Sequence, residues 1–230
     1  MIKKRFYKGA KSLSIMPTYR CTASCKDCGT FSNPDQKGFL TQETIQRAIE
    51  QASKESFCNI VFTGGEPTLR MKELLFGLET AKNFNLPTRI VTNAHWAKTI
   101  DKSNRFIEKM IKYGLCEINI STGTEHLKYI KFENIINAIV SSLNNSLTIV
   151  VMLELRDNNS INRDIIFNND KIRVISKSKL KLLKIIESPW MPLSPFVKQN
   201  YPEGIAINSS NISKYTGCTS VLQTYVVQPN

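Results

Sequence analysis

Short apolar runs alternate with longer amphipathic stretches along most of this chain, and that alternation restricts its fold more than any other feature. The runs "KSLSIMPT" (11–18), "CNIVFT" (58–63), "TRIVT" (88–92), "CEINIST" (116–122) and "LTIVVMLEL" (147–155) read as strands. "CNIVFT" is apolar almost throughout, as expected of a strand covered on both faces. Between the runs, apolar residues recur at helical spacing. They are Ile45, Ala48, Ile49 and Ala52 within 41–56, and Leu74, Leu75 and Leu78 within 69–83. Phe106, Ile107, Met110 and Ile111 follow, then Phe132, Ile135, Ile136, Ile139 and Leu143 within 125–143. Thr41 is placed to cap the first helix, with Glu43 in its positively polarised first turn.

Strand then helix, repeated, implies parallel strands joined by right-handed crossovers. Five or more such units predict an α/β fold, a βα barrel that is whole or partial. A doubly wound open sheet is the alternative. After residue 155 the pattern weakens. "NSINRDIIFNN" reads as a short helix and "LLKIIES" (182–188) as a sixth strand. Prolines at 189, 192, 195 and 202 then exclude a helix or central strand, which predicts an irregular C-terminal extension. The expected division is a barrel over 1–188 and a proline-rich loop with a C-terminal segment over 189–230. The last stretch, "YTGCTSVLQTYVVQPN", ends in a strand-like run with no turn or cap after it, so the natural protein is expected to continue.

The 230 residues, 41% of them hydrophobic, suit one large domain with a small appendage. The net charge of +12 is compatible with nucleic acid, an anionic membrane surface or an acidic protein or peptide, and selects none of them. Lysines are denser in "IKKRFYKGAK" and "KIRVISKSKLKLLK", but no arginine-rich stripe is interleaved with aromatics. No apolar run approaches the roughly 20 residues of a transmembrane helix. Without a signal-peptide pattern the expectation is a cytoplasmic protein with no membrane partner. In that reducing setting clustered cysteines more often bind metal than pair with each other.

Three cysteines fall within "YRCTASCKDCGT" (19–30), directly after the first predicted strand. In βα barrels the loops at the strands' C-terminal ends carry the chemistry. Cys21, Cys25 and Cys28 have the spacing C-x3-C-x2-C, which suits thiolate ligands of an iron–sulfur cluster. Three ligands on a four-iron cluster leave one iron open. A zinc site is the alternative, with His95 or Cys218 as the fourth ligand, although zinc sites usually pair cysteines as two C-x2-C units.

The cysteine loop after the first strand, followed by "GGEPTL" (64–69) after the second, resembles the radical S-adenosylmethionine (radical SAM) superfamily. The likeness covers roughly residues 11 to 155. It implies a partial (β/α)6 TIM-like barrel, with a [4Fe-4S] cluster on Cys21, Cys25 and Cys28. It also implies S-adenosylmethionine chelating the open iron, and reductive cleavage to a 5′-deoxyadenosyl radical that abstracts hydrogen from a substrate. By the same resemblance Gly64, Gly65 and Glu66 hold the cofactor's ammonium group. Asn93, Ser121 and Arg156, at the ends of the third, fourth and fifth strands, are further candidate contacts. Asp27 departs from the family, which usually has an aromatic residue before the third cysteine.

The C-terminal stretch around Cys218 resembles the start of the extension in peptide-modifying members. That makes Cys218 a candidate ligand of an auxiliary iron–sulfur cluster, against an unligated thiol. The implied substrate is a peptide or protein side chain. The implied partners are an electron donor such as flavodoxin or ferredoxin and a separate leader-peptide-binding protein. The alternatives are modification of a small molecule, nucleotide or RNA, and a non-catalytic metal-binding module. Of the remaining residues, Cys58 and Cys116 read as buried structural thiols and His126 as a surface residue. His95 and Trp96 read either as lining a substrate pocket or as a helix-end histidine beside a packed indole.

Overall fold

A computed structural model describes residues 11–156, 161–189 and 224–230. Strand and helix alternate as the sequence predicts. The strands are β1 (Ser12–Ile15), β2 (Asn59–Phe62), β3 (Thr88–Thr92), β4 (Leu115–Gly123), β5 (Thr148–Leu155), β6 (Leu183–Pro189) and β7 (Thr224–Val227). The main helices are α1 (Gln42–Lys54), α2 (Met71–Asn83), α3 (Ile100–Tyr113) and α4 (Phe132–Asn144). Three short ones follow β5: α5 (Arg163–Phe167), α6 (Asp170–Arg173) and α7 (Lys177–Leu180).

The strand order β6-β5-β4-β3-β2-β1-β7 separates the two predicted architectures. Every pairing is parallel. From β1 to β6 each strand lies beside its predecessor, so the winding never reverses. A doubly wound sheet reverses at a switch point; this one curls in one direction, as a partial TIM-like barrel does. The strand-like run expected at the C-terminal end forms β7, on the far side of β1, with Ser12 opposite Thr224 and Ile15 opposite Val227. Cys218 and the prolines at 192, 195 and 202 lie outside the described residues.

Capping and burial explain the helices. The Thr41 hydroxyl accepts from Thr44 N at 3.2 Å, and α1 buries Ile45, Ile49 and Ala52. Thr99 caps α3 in the same way, accepting from Lys102 N, and Gly114 ends it in the left-handed region at φ 111°. The fourth helix differs from expectation. It starts at Phe132 rather than near 125, after a 3-10 turn at His126–Lys128. It is also buried all round from Asn134 to Leu143, because α3 lies on one side and α6 and α7 lie on another. Two of its buried amides face the loop after β3: Asn134 Nδ2 donates to Ala94 O at 3.3 Å and Asn137 Nδ2 to Ala97 O at 3.1 Å.

Cys58 and Cys116 are both exposed, contrary to the expectation of buried thiols. Strict alternation would put Cys116 on the face of buried Ile118 and Ile120. The β3–β4 register shifts here, however: Leu115 lies opposite Thr88 and Glu117 opposite Arg89, so Cys116 is skipped and departs from the alternation. Cys58 precedes β2, outside the strand's alternation. Among the described residues no helix is long and apolar enough to cross a membrane.

Candidate functional site

The loop after β1 is held in shape by its backbone. Buried Thr18 donates its hydroxyl to Gly38 O at 2.7 Å and accepts from Arg20 N at 3.0 Å. Cys21 N donates to Asn33 O at 3.0 Å, and Phe31 N to Cys28 O at 2.9 Å. Asp27 takes φ 61°, a left-handed conformation that aspartate tolerates better than most residues.

The Gly64-Gly65-Glu66 turn after β2 is stitched onto this loop. Gly65 N donates to Thr18 O at 2.9 Å and Glu66 N to Arg20 O at 2.8 Å. Gly64 adopts φ 111°. A Cβ on Gly65 would stand 2.2 Å from Arg20 O. The close approach that this glycine permits is therefore to the chain's own backbone, at the root of the cysteine loop.

The Glu66 carboxylate is fully buried. Its Oε1 accepts from Thr68 N at 3.2 Å, the Thr68 hydroxyl at 2.6 Å and the Thr92 hydroxyl at 2.8 Å. Its Oε2 accepts from Asn93 N at 2.9 Å. A buried carboxylate with this many donors knits the ends of β2 and β3 together, and Oε2 keeps acceptor capacity. Asn93 Nδ2 reaches back to the cysteine loop, donating to Cys21 Sγ at 3.6 Å and Thr22 Oγ1 at 3.0 Å.

These pieces enclose a cavity of about 190 Å3. Cys21, Cys25, Cys28, Gly64, Gly65, Glu66, Asn93 and Ser121 all line it. Arg156 is not among the lining residues. It pairs instead with Glu125 (Nη2 to Oε1, 3.5 Å) and Glu154 (Nε to Oε1, 3.8 Å). His126 lines the cavity, which corrects the expectation of a surface residue. Burial pushes its pKa down to about 4, against the raising effect of Glu125, so it is neutral at physiological pH. Sequence spacing gave no sign of this. The 3-10 turn that replaces the expected first helical turns carries His126 inward.

Two thiols in this cavity are raised. Cys25 is pushed up to about 12, first by burial, then by Cys21 and Cys28, then by Glu154 and Glu125. Cys21 is raised mainly by burial, with Glu66 and Cys28 adding to it. Thiols kept protonated by burial and by each other's charge are released when cationic metal replaces the protons. Among the described residues no group of three or more His, Cys, Asp or Glu donors closes on a single metal ion. A multi-iron cluster asks for something else, since each thiolate ligates a different iron. The donor set, all sulfur with no fourth protein ligand among the described residues, fits a cluster better than zinc.

Glu125 and Glu154 clasp the cysteine loop from the ends of β4 and β5. Glu125 Oε2 accepts from Lys26 N at 3.1 Å, its Oε1 pairs with Lys128, and its own N–H donates to Glu154 Oε1. Tyr129 adds a hydroxyl bond to Ser24 O at 2.7 Å. Burial raises the Glu125 carboxyl, but Lys128, the Lys26 N–H and Arg156 together hold it below its ordinary value. Burial raises Glu154 from 4.5 to about 7, outweighing the Glu125 N–H and Arg156. Between those values the folded chain holds a proton that the unfolded chain has released. The contribution of Glu154 to the stability of the metal-free chain should therefore fall as pH rises from 4.5 to 7, by on the order of 3 kcal/mol, while His126, held at about 4, contributes in the opposite sense in both parent and variant. Glu154→Gln should remove that fall, read as urea midpoints at pH 5 and pH 7.5. An equal pH dependence in both chains would contradict the assignment.

His95 and Trp96 divide between their two expected roles. Trp96 is the packed indole: it stacks on Phe106 at 3.8 Å, and its Nε1 donates to Thr92 Oγ1 at 3.1 Å. His95 Nε2 lies 2.9 Å from Thr68 Oγ1. That hydroxyl already gives its proton to Glu66, so the ring nitrogen is the donor.

A one-way βα barrel with a three-thiol cavity at its strand ends defines the class of protein: a partial TIM-like barrel with its candidate site on the C-terminal rim. The chain belongs to the Radical SAM superfamily, whose sequence profile matches residues 15–154. It is 28% identical over 146 residues to a probable GTP 3',8-cyclase of Pyrococcus horikoshii, covering 62% of this chain and 45% of that one. It is 26% identical over 133 residues to the putative peptide biosynthesis protein YydG of Bacillus subtilis, covering 57% of this chain and 42% of that one. The chain thus spans less than half the length of these curated relatives. Among solved structures, methylornithine synthase (PylB) matches with a TM-score of 0.51 at 13% identity, over 81% of this chain and 56% of that one, a likeness of fold.

Proposed function

We propose that this chain is a radical SAM enzyme whose substrate is a peptide or protein side chain. One observation carries the reading: three cysteines and the Gly-Gly-Glu turn, far apart in sequence, open into one cavity at the C-terminal ends of parallel strands. Cys21, Cys25 and Cys28 hold a [4Fe-4S] cluster. Gly64, Gly65 and Glu66, with Asn93 and Ser121, cradle S-adenosylmethionine, and the spare capacity of Glu66 Oε2 suits its ammonium group. When bound, the cluster and S-adenosylmethionine supply a one-electron cleavage of the sulfonium bond, which makes a hydrogen-abstracting radical. The protein's part is placement and exclusion of water. The Glu66 network fixes the turn, Asn93 positions Cys21, and the Glu125–Glu154–Arg156 clasp holds the loop between Ser24 and Lys26. His126, neutral and inside the cavity, offers a hydrogen bond without adding charge. A flavodoxin or ferredoxin supplies the electron, and a separate protein presents the peptide leader.

Similarity to a putative peptide biosynthesis protein favours the peptide, while similarity to GTP 3',8-cyclases keeps a nucleotide substrate as the second reading. Anaerobic reconstitution tests the chemistry. The chain should turn brown, bind about four irons and release 5′-deoxyadenosine under a strong reductant. A colourless, zinc-loaded chain would overturn it. A short peptide gene beside this one, whose product gains mass or loses hydrogen in the reconstituted assay, separates peptide from nucleotide.

A further inference from the structure

A second cavity, of about 430 Å3, opens next to the first. Thr22, His95, Lys98, Tyr129, Lys131 and Asn134 line it, and no carboxylate does. Lys98 and Lys131 are exposed, and neither ammonium has an ion-pair partner among the described residues. Two uncompensated ammonium groups in a concave site attract an anion.

The two cavities share a wall. Cys21 lines the first and Thr22 the second, and Asn93 Nδ2 bonds to both residues. Ala94, fully buried, sits at φ 62°, where alanine is strained. That turn sends Asn93 into the first cavity and His95 into the second. Asn134 holds it there by donating to Ala94 O and His95 O, at 3.3 and 3.4 Å. From His95 a hydrogen-bonded chain runs through Thr68 to Glu66, at the turn beside the cysteines. Backbone strain is spent here on aiming two neighbouring side chains into two neighbouring cavities.

We propose that the second cavity binds a carboxylate of the substrate peptide, from an Asp or Glu side chain or a C-terminus, and so anchors it while an adjacent residue reaches the first cavity. The proposal rests on the peptide reading above and adds a recognition site to it. Its donors are lysine point charges and the Thr22 hydroxyl, whose oxygen already accepts from Asn93. There is no arginine fork and no glycine-rich nest among the lining residues, the usual equipment for phosphate.

The test uses the iron-reconstituted full chain and fluorescein-labelled hexaglutamate at low ionic strength, with hexaglutamine as the neutral control. Fluorescence anisotropy should show hexaglutamate binding. Lys98→Ala with Lys131→Ala should weaken it about ten-fold. Lys37→Ala with Lys72→Ala, an equal change in net charge elsewhere, should leave it within about two-fold. Glutarate should displace the peptide at lower concentration than inorganic phosphate. Equal weakening in both double variants, better displacement by phosphate, or no binding by the unmodified chain would each overturn the proposal. The two readings fail separately. A chain that takes up no iron but still binds hexaglutamate through these lysines sinks the cluster reading alone. An iron-loaded chain that cleaves S-adenosylmethionine and ignores the peptide sinks this one alone.

Discussion

Gly65→Ala is expected to cost about 3 to 5 kcal/mol of stability and to leave a chain that retains little iron. The new Cβ would stand 2.2 Å from Arg20 O and 2.5 Å from Tyr19 O, and both are backbone atoms that no rotamer change can move. Either the turn or the cysteine loop must shift. Either shift breaks the bonds from Gly65 N to Thr18 O and from Glu66 N to Arg20 O. Glu66 then no longer stands where Thr68, Thr92 and Asn93 can satisfy it. Urea unfolding measures the first effect and iron content the second. A variant within about 1 kcal/mol of the parent that binds iron normally would show that the two loops are not stitched as described.

The second large effect is expected from Cys25→Ser. Loss of a group that merely supports a metal ligand typically costs 10- to 100-fold, so loss of a ligand should cut 5′-deoxyadenosine formation by more than about 100-fold. The brown colour should go with it. The fold should survive, because a thiol pushed up to about 12 is neutral in the metal-free chain and a neutral hydroxyl of similar size takes its place. Cys58→Ser and Cys116→Ser are the controls, since both thiols are exposed and away from the cavity. Full iron uptake by Cys25→Ser, or equal loss in the controls, would exclude the three-cysteine site.

Much of this architecture is legible in the chain because it depends on periodicity. The strand at 88–92 and the helical faces of Ile45, Ile49 and Ala52, and of Ile107 and Met110, need only local spacing, and burial follows them. The cysteine spacing and the Gly-Gly-Glu turn are equally local. Their meeting in one cavity was predictable only because parallel βα units place successive loops on one rim. The misread thiols failed on a different scale. Alternation with Ile118 and Ile120 would turn Cys116 inward, and only the register shift against β3, with Leu115 opposite Thr88 and Glu117 opposite Arg89, takes it off that face.

The sequence by itself determined the order of the main strands and helices, the parallel sense of the sheet, and the spacing of the three thiols that meet in the cavity, since each follows from spacing along one chain. Only the tertiary structure decided that Gly65 packs against Tyr19 and Arg20, that His126 turns inward, and that Asn134 braces the strained Ala94 turn between two cavities. These are contacts between segments tens of residues apart. Their geometry is set by how the packed core brings strand ends together, and no local pattern encodes a distance across a barrel rim.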